Sequence, residues 1–213
     1  MKIPSIFLIE NKDIEKITCD LLSSNRNLER LLKSCEEFLE LQSGISPSLK
    51  YEIGVGLAEN LVYEKKDVEE LSKLLNYDND PLNSLFLGFY FSALVNKVIE
   101  EKDVVRLASG VKLIGLGAYL KKGALVIDGN IGEWSAFNLD GGRLVVFGDT
   151  GDYTAHGMKS GLVRVKGCVG ELTGCEARGG KIFAEDVKGC TYNCGAKVYK
   201  KGVRIWPPFL DYE

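Results

Sequence analysis

The chain has 213 residues, 45% of them hydrophobic, enough for one sizeable core or two small ones. Its formal net charge of −3 carries no basic excess of the kind a phosphate backbone selects, so nucleic acid is not an expected partner. The opening run Met1 to Glu10 is too short for a signal peptide, and the longest apolar stretch, Leu85 to Val95, is too short for a membrane helix. A cytoplasmic protein without a membrane partner is expected, with its six cysteines kept as thiols.

Glycine divides the chain. Of 24 glycines, only Gly44, Gly54, Gly56 and Gly88 precede residue 103. Helix interiors disfavour glycine and tight turns require it, so the structural class is expected to change there. Charge changes at the same place, from a net −6 over residues 1–102 to a net +3 over 103–213.

The first part, 1–102, reads as an α-helical domain of unassigned role. Asn11 is placed to cap a helix from Lys12 to Ser23, with Ile14, Ile17, Leu21 and Leu22 on one face. Asn25 is placed to cap the next, where Leu28, Leu31, Leu32, Cys35, Phe38, Leu39 and Leu41 keep a helical period up to Gly44. Pro47 suits the first turn of a third helix, which Gly54 and Gly56 weaken. A short helix from Asp67 to Leu75 and a longer one from about Pro81 to Glu101 follow. The last is apolar around most of its circumference, which implies burial on several sides and a central place, or contact with the second domain.

From Gly123 the chain repeats every nineteen residues: GALVIDGNIGEWSAFNLDG, GRLVVFGDTGDYTAHGMKS, GLVRVKGCVGELTGCEARG and GKIFAEDVKGCTYNCGAKV. Glycine opens every block (Gly123, Gly142, Gly161, Gly180) and fills every tenth position (Gly132, Gly151, Gly170, Gly189). It fills the seventh in three blocks, Gly129, Gly148 and Gly167, and Asp186 stands there in the fourth. Leu125 and Ile127, Leu144 and Val146, Val163 and Val165, and Ile182 and Ala184 sit two apart, the period of a strand with one buried face. Further columns hold Trp134, Tyr153 and Leu172, then Phe137, His156, Cys175 and Cys194.

Such a block cannot bury its apolar residues alone. Stacking each strand on its counterpart one coil away does so. The predicted class is α+β, an amino-terminal helical domain followed by a right-handed parallel β-helix of about five coils. A degenerate coil is expected from Val104 to Lys122 and a closing turn near Val203. The helical part is placed to cap the first coil, and Ile205-Trp206-Pro207-Pro208-Phe209 to cap the last.

The stretch Gly148-Asp149-Thr150-Gly151-Asp152-Tyr153, followed by Gly157-Met158-Lys159-Ser160-Gly161, resembles the G-x-x-G…G-M-x-G-G repeat of two related domains. These are the carboxy-terminal domain of the glutamate synthase large subunit and the structural, glycine-repeat subunit of formylmethanofuran dehydrogenase. Ser160 stands where the family has its first glycine. The likeness spans roughly residues 104 to 198. It implies a non-catalytic scaffold within a larger oxidoreductase or amidotransfer complex, with cofactors and catalytic residues carried by other parts of the assembly.

The candidate chemistry is sparse. His156, Cys175 and Cys194 share a phase on successive blocks, and Cys190 precedes Cys194 by four, a spacing seen in zinc sites. These four are the candidate ligands for a metal or iron–sulfur group in a redox-active alternative; the bland reading is a stack of small apolar side chains, or a disulfide between stacked cysteines. No cofactor is expected on the scaffold reading. A Ser160–His156 hydrolase pair lacks the spacing of a nucleophile elbow. Glu133, Asp152 and Glu171 form an acidic column suited to a cation or to plain solvation, and no phosphate-loop motif is present. The expected partners are other protein subunits or further copies of the chain; a third reading places an enzyme site at the junction of the two domains.

Overall fold

A computed structural model describes residues 22, 24–41, 44–75, 86–109, 112–190 and 193–206. Among the described residues four helices come first: α1 (Arg26–Leu41), α2 (Pro47–Glu59), α3 (Lys65–Leu75) and α4 (Leu87–Val98). The expected helix Lys12–Ser23 and the start of the last helix, Pro81–Leu85, lie largely outside the described residues. Asn25 does cap α1, its Oδ1 accepting from the backbone N–H groups of Asn27 (3.0 Å) and Leu28 (3.2 Å). Ser46 caps α2, which opens on Pro47 as expected. Gly54 is not a defect there. A Cβ on it would stand 3.2 Å from the Tyr90 Cα, so its bare backbone lets α2 and α4 cross closely. Leu87 to Val95 of α4 are buried on all sides, as its apolar circumference predicts.

Nine strands follow among the described residues: β1 (Val104–Ser109), β2 (Ala124–Gly129), β3 (Asp140–Val146), β4 (Ser160–Val165), β5 (Cys168–Val169), β6 (Lys181–Ala184), β7 (Asp186–Val187), β8 (Lys197–Lys200) and β9 (Val203–Trp206). β1, β2, β3, β4, β6 and β8 pair in parallel, in that order, making a β-helix of about five turns. Register is set by the repeat. Leu125 pairs with Leu144, Leu144 with Val163, and Val163 with Ile182, and all four are fully buried. Val105 and Val198 extend this ladder at its two ends. At about 4.8 Å per step the stack is about 24 Å long.

Opposite the main sheet, each coil is a ribbon of turns. Trp134, Ala136 and Asn138 all have positive φ (57°, 57° and 51°), as do Tyr153, Ala155 and Gly157 nineteen residues on. Between them, Phe137 N donates to Trp134 O at 3.2 Å, closing a turn with the φ signs of type II. The other amides reach neighbouring coils. Trp134 N and Asn138 N donate forward to Asp152 O and His156 O, and Ala136 N donates back to Leu116 O, at 2.8 to 3.0 Å. Left-handed backbone costs a non-glycine residue about 1 kcal/mol, which these inter-coil bonds offset.

The repeat glycines serve two purposes. Gly161 has φ +96°, a backbone a side chain would strain. Gly151 has no such requirement; a Cβ there would lie 2.7 Å from Glu133 N, so it is the close approach of successive coils that excludes a side chain.

The helices close the open end. β1 is an edge strand, and α3 satisfies its outward N–H groups: Arg106 N donates to Glu69 Oε1 (2.8 Å) and Ala108 N to Ser72 Oγ (3.2 Å). On the turn side, Ser92 of α4 lies 2.9 Å from Gly115 O and accepts from Ala118 N at 3.2 Å. Asn96 donates to Ala118 O (2.9 Å). One continuous cluster of buried side chains runs from α1 through α4 into the coils.

At the other end the expected closing turn is an antiparallel hairpin, since β9 folds back on β8. Ile205 and Trp206 pack on the core, and Trp206 Nε1 donates to Cys194 O at 2.6 Å. Pro207–Phe209, the rest of the expected cap, lies outside the described residues. Among the described residues no helix is long and apolar enough to cross a membrane.

Candidate functional site

Alternation along the strands sends one set of side chains into the core and the other onto an outer sheet face. Its middle row runs Arg106, Val126, Val145, Arg164, Phe183, Tyr199 across paired positions. A second row runs Val104, Ala124, Arg143, Leu162, Lys181, Lys197. Beyond the middle row lie Asp128, Phe147, Lys166 and Glu185. Arg106, Arg143, Arg164, Lys166, Lys181 and Lys197 are all exposed, and none of these six cations has an ion-pair partner among the described residues. Phe147 is 54% exposed. Phe183 and Tyr199 stack with centroids 4.5 Å apart, and the Arg164 guanidinium lies 5.2 Å from the Phe183 centroid, so each ring covers a face of its neighbour. Among the described residues no helix covers these later coils.

The cysteine–histidine column does not assemble as its spacing suggested. The final coil is short: Ile182 pairs with Val198, sixteen residues on. Gly195 N therefore donates to Ala177 O (2.7 Å), which places Cys194 level with Ala177 and out of phase with Cys175. Cys190 pairs with Thr173. The Cys194 sulfur fills the space beside Gly174, in the core. Burial, with a smaller push from Cys194, raises the Cys190 thiol to about 11, and burial raises Cys194 as well. Both upward shifts come chiefly from burial, which favours the neutral thiol in this corner. The five described cysteines, Cys35, Cys168, Cys175, Cys190 and Cys194, are free thiols. No group of three or more His, Cys, Asp or Glu among the described residues is arranged to hold a metal ion.

His156 belongs instead to an aromatic cluster. It stacks on Phe137 with centroids 5.6 Å apart and meets Trp134 edge-on at 5.0 Å. Its Nδ1 is buried without a hydrogen-bond partner among the described residues, and Nε2 faces Glu176 at 3.6 Å. Ser160 donates to Asp140 (3.3 Å), so no Ser–His pair forms. The cluster continues through Tyr119 to Tyr51 of α2, whose rings stack at 4.4 Å. The signal for it lay in the sequence: twelfth and fifteenth block positions are aromatic in the first two blocks, where the helices pack nearby.

The acidic column and its neighbours serve the corner. Asn130 accepts from Asp149 N (2.8 Å), Asp149 from Cys168 N (2.7 Å) and Asp152 from Glu171 N (2.7 Å), each side chain holding the next coil. They line a groove of about 440 Å³ with Lys112, Glu133 and Lys188. A second depression, of about 370 Å³, lies at the domain junction among Tyr51, Val55, Asn96, Lys97, Lys121 and Lys122. Its polar groups are mostly engaged. Asn96 donates to Tyr51 Oη (3.0 Å), Lys97 to three main-chain carbonyls of the α2 end, and Lys122 pairs with Glu100 (2.6 Å). Burial pushes the Tyr51 hydroxyl up to about 12, so it stays neutral. Compared with known proteins, the chain matches no family model, no curated protein and no solved structure.

Proposed function

We propose that the chain is a non-catalytic structural subunit whose β-helix holds partner chains in a larger assembly. One observation carries this reading: a sheet face with six cations and a protruding Phe147 is exposed, and among the described residues no ion-pair partner meets those cations. Elsewhere polar side chains are spent on the fold, as at Asp149, Asp152, Ser92 and Asn96. The coils are tied by main-chain ladders and closed at one end by helices, which suits a spacer that must not deform under load. The resemblance of residues 104–198 to the β-helices of glutamate synthase and formylmethanofuran dehydrogenase supports an oxidoreductase or amidotransfer assembly as the setting. Purification of the endogenous protein at native abundance, followed by native mass spectrometry, tests it. A fixed stoichiometry with at least one other chain is expected. A lone monomer overturns the reading.

A further inference from the structure

We propose that the outer sheet face docks an acidic protein surface belonging to another chain. This rests on the scaffold reading and names the chemistry of its partner. The whole chain has a net charge of −3, which hides the local arrangement. On this face six cations stand against two carboxylates, Asp128 and Glu185. Arg143 and Lys181 occupy the same row two coils apart, a separation of about 10 Å. That is close to the screening length at physiological salt, so the cations act as one field. Val145, Leu162 and Phe147 lie between them, giving the apolar contact that a purely electrostatic surface lacks. Arginine forks suit carboxylates, and unpaired cations favour a partner that neutralises them.

Two other polyanions fit less well. Single-stranded nucleic acid binds by stacking successive bases on open ring faces, but Phe183 has Arg164 on one side and Tyr199 on the other, which leaves Phe147 as a lone exposed ring among the described residues of this face. A lipid surface takes up apolar side chains that stand proud. On this face only Val104 and Phe147 are large exposed hydrophobics, and they lie in different rows.

The test uses the full-length chain and three probes at low salt: labelled poly-L-glutamate, oligothymidylate and phosphatidylserine vesicles. R143E/R164E/K181E removes the field, and K112E/K188E changes charge at the corner groove as a control. Polyglutamate binding is expected to weaken about tenfold or more in the first variant and less than about twofold in the second. Oligothymidylate is expected to bind no more tightly than polyglutamate, and vesicles not to bind. Equal weakening in both variants, no binding of polyglutamate by the unmodified chain, preference for either other probe, or self-association that buries the face each overturns the proposal. If the triple reversal fails to fold, R143Q/R164Q/K181Q takes its place. The two readings fail separately. An endogenous complex that persists in the triple variant sinks only the acidic docking face, whereas the absence of any complex sinks the scaffold.

Discussion

Trp134 and Tyr153, nineteen residues apart, lie face to face, with ring centroids 4.4 Å apart and planes 1° from parallel. Both residues have left-handed backbone, so the stack is held by the inter-coil hydrogen bonds of Trp134 N and Tyr153 N as much as by the rings. Each is half-buried. Trp134→Ala should cost about 2 kcal/mol in urea unfolding, below the range for a fully buried ring. The double variant Trp134→Ala/Tyr153→Ala should cost less than the sum by about 1 kcal/mol, the coupling expected of stacked rings. Strict additivity would mean that the rings do not support each other.

Two helical glycines should respond in opposite directions. A Cβ on Gly88 would overlap the Ile114 carbonyl oxygen, where α4 rests on the first coil. Gly88→Ala should destabilise by about 3 kcal/mol, through backbone that cannot yield. Gly56 has nothing within 4 Å of its Cβ position, so Gly56→Ala should stabilise α2 by about 0.5–1 kcal/mol. Thermal melts of the two variants on either side of the parent check both.

The hairpin between β8 and β9 turns through Lys201 and Gly202, with φ of 48° and 80°. Two positive values in a two-residue loop are those of a type I′ turn, where asparagine is preferred at the first position. Lys201→Asn should raise stability by about 0.5 kcal/mol. An unchanged or lower unfolding midpoint would contradict this description of the turn.

His156 is the only histidine, so its titration can be isolated. Burial lowers its pKa from 6.5, and the nearby Glu176 opposes this more weakly. The folded state therefore binds the proton less readily than the unfolded chain. Its contribution to stability is complete above about 6.5 and is lost as pH falls through the unfolded and then the folded pKa. Unfolding free energy should decline below about pH 6.5, and His156→Phe, which keeps a ring against Phe137, should flatten that part of the profile.

The middle of the fold was open to sequence reading because its coils are identical in length. Leu125, Leu144, Val163 and Ile182 repeat at nineteen, and pairing follows the repeat. Phase fails at the ends. Val105 pairs with Leu125 at a spacing of twenty and Ile182 with Val198 at sixteen, so a column extended by counting puts Cys194 beside the wrong residue. The turn ribbon was hidden for another reason. Trp134, Ala136 and Tyr153 take left-handed backbone without being glycine, so composition carries no mark of it. The cationic sheet face was visible only as a mixed column; its charge gathers once strands set nineteen residues apart in sequence lie side by side.

Zero-length carbodiimide coupling of the endogenous complex tests the central claim most directly, because it joins only amines and carboxylates already in contact. Lys166, Lys181 and Lys197 should be linked to carboxylates of a second chain. Couplings to that chain through Lys112, Lys121 or Lys188, with the three sheet-face lysines left unmodified, would contradict the account.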